Sequence, residues 1–470
     1  MVFSSLAFLC VFLPVVFLLY LLAPGTRAKN VLLIAASLVF YAYGEPVYIL
    51  LLLASAVLNW IFGQLIGARP DPRSRKLMLA VSVTVNLGFL VVFKYAGWLV
   101  SLLNGLLGTH GATLHLALPI GISFYTFQAL TYVIDVYRRT APPQRNFLKL
   151  LLYISLFPQL LAGPIIKYHD IEGALSRREI TASKVARGLR RFAVGLGKKV
   201  LIAVPMAAVT DAIYAAPHAQ VNIIVAWMGA LAFLMQIYFD FSGYTDMAIG
   251  LASMFGFSYA ENFDHPYISR SVREFWRRWH MTLTSWFQEY LYFPLGGNRR
   301  GRARAILNRF IVFLLCGLWH GANLTFVLWG LFHGALMMLE DIVPIRKLPK
   351  LLGWLYATLM VCLGFVVFRA ANLSQALFML RQMFAGFDFS HLPVARASWM
   401  LSPLTIVTFL GAAVASTPYV RRLITQLFGR RQKAWALVRA ASFVGALALF
   451  VLAFLSLASG GYHPFIYFRF

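Results

Sequence analysis

The sequence predicts an all-α polytopic membrane protein, and three observations support this fold class. Of its 470 residues, 60% are hydrophobic and 12% are charged, whereas soluble domains are about half apolar and about a quarter charged. The charges lie mainly in short loops between apolar runs of spanning length. The alternating pattern of a membrane β-barrel is missing, and lipid offers a backbone no hydrogen-bonding partner, so each span is expected to be helical. We expect about ten to twelve transmembrane or re-entrant helices in a single integral membrane domain covering residues 1–470.

Net charge and cysteine content exclude several functions. The chain carries 42 Lys and Arg against 16 Asp and Glu, a net charge of +26, which in a membrane protein indicates cytoplasmic loops and contacts with membrane lipid rather than nucleic acid. The three cysteines lie in apolar segments without metal-ligand spacing, so neither a disulfide framework nor a metal site is predicted. The N-terminus lacks a basic n-region and a clear cleavage site, and we expect it to be a retained first span.

The first third of the chain alternates between apolar runs and basic loops. Five apolar runs predict spans: residues 3–23, 31–43, 47–66, 78–107 and 116–136. Three of the connecting loops are basic and are expected in the cytoplasm: Arg27 with Lys29, Arg69 to Lys76, and Arg138 to Lys149. The uncharged loop from Gly108 to His115 and the first residues are then expected outside.

Two atypical segments follow. Residues 151–170 form an apolar run that Pro158 and Pro164 interrupt and that basic residues flank on both sides, which favours a re-entrant segment over a span. The basic amphipathic stretch Ser176 to Lys199 is suited to the inner leaflet, where it would bind an anionic ligand or only meet anionic lipid. Apolar character returns over residues 200–214.

The apolar run 222–256 contains two carboxylates, Asp240 and Asp246. Charged groups at membrane depth need partners or water, so these residues either line a polar cavity or form ion pairs. We favour ion pairs with arginines such as Arg273 or Arg277.

Residues 261–304 are rich in Trp, Tyr and Arg, contain His280, and end in a basic turn at Gly296–Gly297. This mixture predicts an interfacial or partly inserted helix. Further spans are expected near residues 351–370, 400–418 and 434–458, separated by an external loop at 371–399 and a basic loop from Arg421 to Lys433.

The most informative stretch runs from Phe310 to Gly334 and sets His320 inside an apolar run. A single helix over residues 310–341 would be roughly 48 Å long, and both of its ends are basic. We therefore expect a hairpin or broken helix with its turn near Gly321 to Asn323 or near Gly330, and His320 near mid-membrane.

An intramembrane histidine is a candidate functional site, although a structural histidine bonded between helices is an equal alternative. In a setting of low dielectric constant an imidazole stays neutral and can act as a base near neutral pH. Trp319 and Gly321 flank His320 with bulk on one side and space for a ligand on the other. On a continuous helix Cys316 and Asn323 would share the face of His320. A Cys–His pair is the alternative to direct base catalysis, but burial disfavours the reactive thiolate.

The chain resembles the membrane-bound O-acyltransferases, in particular their bacterial polysaccharide branch. The segments that carry the resemblance are MVFSSLAFLCVFLP at 1–14, SFYTFQALTYVIDVYR at 123–138, LFPQLLAGPI at 156–165, IYFDFSGYTDMAIGLASMFGF at 237–257, ENFDHPYISRSVREFWRRWHMTLTSWFQEYLYFPLGGNRRG at 261–301, GLWHGANLTFVLWGLFHG at 317–334 and PFIYFRF at 464–470. The pairing of the Trp-His of WHMTL with the later Trp-His of WHGA is the most specific feature.

The resemblance implies that His320 is the catalytic histidine and His280 the second marker position, which in the family is commonly His, Asn or Asp. It also implies helices around a central tunnel, a cytoplasmic thioester donor (acetyl-CoA or an acyl carrier) and no bound cofactor. The activity it implies is transfer of an acetyl or other short acyl group across a bacterial inner membrane to a hydroxyl of an exported polysaccharide such as alginate. Transfer would be direct or through periplasmic partner proteins.

Within that interpretation we predict that His320 is the general base and that His280 polarises the thioester carbonyl or positions the donor. Arg277 and Arg278 are predicted near the donor's phosphates, and Trp319 and Asn323 are predicted to contact substrate. Two alternatives from other classes remain: a membrane transporter, which would also need broken helices and intramembrane polar groups, and a scaffold subunit of a polysaccharide export machine. The residues do not identify the acceptor polymer, the donor or the oligomeric state.

Overall fold

A computed structural model describes residues 1–108, 116–390, 402–428, 432–460 and 465. The regular elements in these ranges are helices, with no strand among them. Eight of the described helical segments are long and apolar enough to cross a membrane: Ile49–Ala68, Pro72–Leu107, Ala182–Tyr214, Ile223–Met254, Arg302–His320, Leu324–Ile342, Lys350–Arg369 and Trp435–Ser459. The predicted all-α multi-pass fold is therefore confirmed.

Twenty-one α-helices are described, and four π-helical segments extend or join some of them. In chain order the helices are α1 Leu13–Leu22, α2 Gly25–Ala42, α3 Ile49–Ala68, α4 Pro72–Leu90, α5 Ala96–Leu107, α6 Ile122–Arg138, α7 Phe147–Ser155, α8 Phe157–Leu160, α9 Tyr168–Ser176, α10 Ala182–Gly197, α11 Val204–Tyr214, α12 Ile223–Met254, α13 Val272–Trp276, α14 Met281–Phe287, α15 Arg302–His320, α16 Leu324–Ile342, α17 Lys350–Arg369, α18 Leu373–Ala385, α19 Pro403–Ala415, α20 Tyr419–Phe428 and α21 Gln432–Ser459. The π segments are Phe8–Phe12, Val91–Tyr95, Lys198–Ala203 and Gln288–Tyr292.

The chain forms two compact units, one of Met1–Phe192 with Met247–Ala260 and the other of Ala193–Asp246 with Glu261–Phe470. The single functional domain expected from the sequence stays a prediction. The candidate site residues lie in the second unit.

The predicted spans of the first third correspond to helices, with shifted ends. The first predicted span, residues 3–23, corresponds to the shorter apolar helical stretch Phe8–Leu22, which consists of a π segment followed by α1. The basic loop expected over Arg69 to Lys76 instead contains the start of α4, where the Asp71 side chain accepts a hydrogen bond from the Ser74 backbone N–H. Pro72 at the first helical position also favours this start. The expected external loop around Gly111 lies outside the described residues, and the sidedness of the loops stays a prediction.

The broken backbone expected over residues 151–170 is confirmed. Helix α7 has nine residues and α8 has four, and nine residues rise only about 14 Å, less than half of the hydrocarbon core. Buried side chains satisfy the interrupted backbone. The Tyr153 hydroxyl donates to the Ile166 carbonyl at 2.8 Å, the Gln159 amide donates to the Tyr153 carbonyl at 2.6 Å, and Ser37 accepts from the Phe157 N–H at 3.1 Å. Irregular backbone at this depth is tolerated because protein surrounds it.

The basic stretch expected to lie alone on the inner leaflet is part of a longer element. Helix α10, the π segment Lys198–Ala203 and α11 join into one continuous helical segment, Ala182–Tyr214. The expectation of a separate surface helix was therefore wrong. The apolar residues after Lys199 continue the helix through a π segment that ends just before Pro205, so the basic part is the beginning of a segment long and apolar enough to span a membrane.

The two carboxylates in α12 are paired, as favoured, but the predicted partners were wrong. Asp240 bonds to the Lys199 ammonium and Asp246 to the Lys198 ammonium, each at 2.6 Å. Arg273 instead pairs with Asp341, which also bonds Arg309 at 2.8 Å.

The single interfacial helix expected over residues 261–304 was also wrong. The segment contains the five-residue α13 and, after a turn, the seven-residue α14, which continues directly into the π segment Gln288–Tyr292. The tryptophans Trp276 and Trp279 are buried in the protein rather than placed toward an interface. The segment is therefore a series of short helices with buried tryptophans, and not the single regular helix that its composition indicated.

The central stretch is a helical hairpin, as predicted, with its turn at Gly321 to Asn323. Helices α15 and α16 have 19 residues each and approach closely at Gly317 and Gly330. A Cβ on Gly330 would lie 2.6 Å from the Phe313 carbonyl oxygen. Small residues at a helix contact allow the backbones this approach, so the hairpin is held by direct packing.

The predicted C-terminal spans match α17, α19 and α21, of which α19 has 13 residues. The expected external loop at 371–399 contains α18, and the basic loop after Arg421 begins within α20. Residues 391–399 of the first loop and 429–431 of the second lie outside the described ranges.

Candidate active site

His320 is the last residue of α15 and is 6% exposed. Its imidazole is surrounded by aromatic rings, with centroids 4.9 Å away for Trp319, 5.1 Å for Trp329 and 5.2 Å for Phe368. The last two rings stand nearly perpendicular to the imidazole, at 87° and 82°. Three helices, α15, α16 and α17, therefore fix this histidine in an apolar cage.

The space expected at Gly321 is already filled by the protein. The ring of Phe326 packs against Gly321, at the position a Cβ would take. Glycine is therefore required there by the packing of Phe326, and the earlier interpretation that it leaves space for a ligand was wrong.

His280 precedes α14 and has a left-handed backbone, with φ +43°. Its Nδ1 lies 3.1 Å from the Asn262 side-chain oxygen. That oxygen also accepts from the Thr282 N–H at 3.1 Å and the Thr282 hydroxyl at 2.8 Å. Since a backbone N–H can only donate, the Asn262 atom is an acceptor and His280 Nδ1 carries the proton.

The other ring nitrogen of His280 is therefore an acceptor. His280 Nε2 is buried and has no hydrogen-bonding partner among the described residues. Burial lowers the pKa of the His280 imidazole to about 3, so the ring is neutral at physiological pH. A neutral ring with a lone pair on Nε2 can accept a hydrogen bond from a ligand but cannot polarise a carbonyl oxygen by donating to it.

The two histidines meet at Trp319. Its ring centroid lies 4.9 Å from His320 and 6.4 Å from His280. Phe241 covers a further side of His280, with an edge-on contact at 4.6 Å. The structure thus brings together three of the six predicted site residues, which come from two sequence segments about forty positions apart.

Asn323 does not share a helix face with His320, because α15 ends at His320. Its side chain caps α16 by accepting from the Thr325 N–H at 3.1 Å, and it donates to the Ala371 carbonyl at 2.8 Å. Cys316 lies one turn before His320 and is buried. The polar cluster expected on one face was therefore wrong, because it assumed a longer helix.

The two predicted donor-binding arginines differ in their surroundings. Arg277 is exposed. Arg278 bonds to Asp264 at 2.9 Å and to Glu274 at 3.1 Å, and it faces an open cleft.

Sequence reasoning missed Asn262, Trp329, Phe368 and His333 as neighbours of the site. His333 is buried, accepts a hydrogen bond from the Trp276 indole at 3.4 Å and packs on Trp329 at 5.0 Å. The His333-Gly334 pair repeats the His-Gly of His320-Gly321, which was a usable signal. Within the described residues, neither His280 nor His320 belongs to a group of three or more metal-ligating side chains.

Comparison with known proteins identifies the family. The profile of the membrane-bound O-acyltransferase family (MBOAT) matches residues 138–371, which include all six predicted site residues. The chain is 39% identical to the probable alginate O-acetylase of Pseudomonas putida, with both chains covered completely. The chain belongs to the membrane-bound O-acyltransferase family.

The names of other relatives of this O-acyltransferase include alginate again and a second acceptor, peptidoglycan. It is 42% identical to the probable alginate O-acetylase of Pseudomonas aeruginosa, over 92% of this chain and 82% of the relative. It is 35% identical to a peptidoglycan O-acetyltransferase of Helicobacter pylori, over 82% of this chain and 80% of the relative. An O-acyltransferase of this family requires an acyl donor as co-substrate, and the apolar helices place this one in a membrane as a multi-pass protein.

Proposed function

We propose that this chain transfers an acetyl or other short acyl group from a cytoplasmic thioester to a hydroxyl of an exported polysaccharide such as alginate, in a bacterial inner membrane. Similarity over the full length to an alginate O-acetylase supports the polymer and the acetyl group. The observation that carries the catalytic assignment is the meeting of His320 and His280 at Trp319, in a buried site inside the family match.

His320 is the general base of the proposed reaction. It takes the proton of the acceptor hydroxyl as that oxygen forms a bond to the thioester carbonyl carbon. The carbon–sulfur bond then breaks, and the departing sulfur receives the proton from the imidazolium. The aromatic cage supports this role because it fixes the ring and excludes water that would compete as an acceptor.

His280 is the positioning residue in this scheme. Of its two predicted roles, polarising the carbonyl requires an N–H at Nε2, whereas holding the donor requires only an acceptor. The hydrogen bonds of Asn262 favour the second role. We therefore assign His280 Nε2 to an N–H or O–H group of the bound substrate, such as an amide N–H of a donor thioester.

The other predicted contacts remain part of the proposal. Trp319 would pack on the acyl group, since it lies between the two histidines. Arg278, and Arg277 beside it, would meet phosphate on the donor. Asn323 would contact substrate only if it gave up its capping bond.

Two questions concern the path of the acyl group. Direct attack by the polymer hydroxyl needs only the base, whereas a relay would pass the acyl group to a periplasmic partner protein. The covalent alternative on Cys316 is disfavoured because its thiol is buried in an apolar helix, where a thiolate is costly.

The test is acylation of polymer by cells that express His320→Ala, compared with His218→Ala as a matched histidine control. His218 is exposed and stacks on Phe378, and neither residue is among the predicted site residues. We expect His320→Ala to be present in the membrane at normal amounts and to lose about 10²–10⁴-fold in rate, and His218→Ala to keep wild-type activity. Substantial acylation by a well-expressed His320→Ala protein would contradict the assignment and favour a transporter or scaffold.

A further inference from the structure

A polar cleft opens beside the segment that carries His280. Its volume is about 850 Å³, which lies within the usual range of ligand sites. The residues that line it are Asp264, His265, Ile268, Arg278, Pro418, Arg422, Thr425 and Gln426.

The groups in the cleft suit an anion that also accepts hydrogen bonds. Arg278 and Arg422 contribute guanidinium groups, and Thr425 and Gln426 contribute a hydroxyl and an amide. The positive charge of Arg278 is paired with the carboxylates of Asp264 and Glu274. Arg422, by contrast, is exposed, and no ion pair of its side chain is found among the described residues. Guanidinium groups are the preferred protein ligands of phosphate.

Helix α20, together with Pro418 just before it, supplies half of the lining residues and the arginine that has no ion-pair partner among the described residues. Pro418 and Thr425 are seven positions apart, which is two helical turns, and Arg422 lies between them on the same side. Spacing of three to four residues therefore places one face of α20 along the cleft. From the sequence we predicted only a basic loop from Arg421 to Lys433 here.

The cleft lies beside the segment that carries His280, and hydrogen bonds between two backbone segments link the residues of both. The Asp264 N–H donates to the Arg278 carbonyl at 2.9 Å, and the Met281 N–H donates to the Asn262 carbonyl at 2.9 Å. Asp264 and Arg278 thus lie two residues from Asn262 and His280 respectively. Two extended residues span at most about 7 Å, so the backbone of Arg278 in the cleft lies within that distance of the backbone of His280.

We propose that this cleft binds a phosphate group of the acyl donor, with Arg422 and Arg278 as its cations and Thr425 and Gln426 as hydrogen-bonding groups. The inference rests on the proposed function, because it assumes a thioester donor whose acyl end lies at His280 and His320. A bound phosphate would compete with the Asp264 carboxylate for the Arg278 guanidinium. At Arg278, binding would therefore exchange one anion for another. The headgroup of a membrane lipid presents the same phosphate chemistry and is the alternative source.

The experiment uses the full-length protein in nanodiscs and two acetyl donors, acetyl-CoA, which carries phosphates, and acetyl-N-acetylcysteamine, which carries none. We expect Arg422→Glu to raise the apparent KM for acetyl-CoA at least tenfold with little change in kcat, and to leave kcat/KM for acetyl-N-acetylcysteamine unchanged. Arg422→Gln should have an intermediate effect. The matched control is Arg346→Glu, an exposed arginine outside the cleft, which should match the wild type with both donors.

Several outcomes overturn the proposal. Equal losses with both donors would mean that Arg422→Glu damages the fold rather than a phosphate site. An unchanged KM for acetyl-CoA would exclude donor binding at Arg422, and loss of bound anionic lipid in that variant would identify a lipid headgroup instead. A wild-type protein that uses both donors with equal kcat/KM would show that phosphate contributes nothing. Each result leaves the His320→Ala comparison intact, so failure of the cleft is distinguishable from failure of the acyltransferase mechanism.

Discussion

The ion pair between Lys199 and Asp240 gives a prediction whose size follows from its burial. The two side chains are 4% and 6% exposed, and the ammonium lies 2.6 Å from the carboxylate. Asp240→Leu leaves the ammonium buried without its anion, and removing one partner of such a pair costs about 3–5 kcal/mol. The Phe465 ring, 5.7 Å from the ammonium, offsets only part of this loss. We expect Asp240→Leu to lower the free energy of unfolding by about that amount.

The assay is reversible unfolding of the purified protein in mixed micelles titrated with sodium dodecyl sulfate. The neighbouring ion pair between Lys198 and Asp246 provides a matched control. Its bond has the same length, but its side chains are 25% and 15% exposed. Asp246→Leu should cost clearly less, since water screens the remaining charge. The double variant Lys199→Met with Asp240→Leu should recover most of the stability, with a coupling energy of at least about 2 kcal/mol.

Two results would refute this reasoning. A loss of less than about 1 kcal/mol for Asp240→Leu would place the pair among solvent-screened bridges. A double variant no more stable than Asp240→Leu would show that the carboxylate acts through another contact.

Three further predictions concern the site and the topology. His280→Ala should reduce donor affinity or rate less than His320→Ala does. Asn262→Leu should reproduce the defect of His280→Ala, because it removes the acceptor that sets the His280 tautomer. A fully active Asn262→Leu protein would contradict this assignment of the tautomer. Cys316→Ala should keep most of its activity, and mass spectrometry after incubation with labelled donor should find no hydroxylamine-labile acyl group on Cys316; an adduct together with an inactive variant would require a covalent mechanism. Cysteine-accessibility labelling should place Ser74 inside and Gly111 outside, and the reverse pattern would invert the topology.

The hairpin of α15 and α16 could be predicted from the sequence because its evidence is local. The run was too long for one span, both flanks were basic, and Gly321 to Asn323 offered a turn within it. The sequence left two places for the turn, near Gly321 to Asn323 and near Gly330, and only the first ends a helix at His320.

The partners of Asp240 and Asp246 could not be predicted, because any of several cations was available and the pairs join residues more than forty positions apart. Composition misled us over residues 261–304 for a related reason. Tryptophan and arginine are enriched both at a membrane interface and in a buried irregular segment, and only the packing of Trp276 and Trp279 distinguishes the two. The tautomer of His280 depends on the orientation of Asn262, which no sequence pattern specifies.

The left-handed backbone of His280 restricts which residues this position accepts, independently of any chemistry. Residues with a Cβ lose about 1–2 kcal/mol in this conformation, and His, Asn and Asp adopt it more readily than most. They are also the residues that the family resemblance implies for this position. Their recurrence there therefore has a backbone explanation beside the catalytic one. Replacing His280 with glycine removes the side chain without the backbone cost, so comparing glycine with alanine at this position separates folding from function.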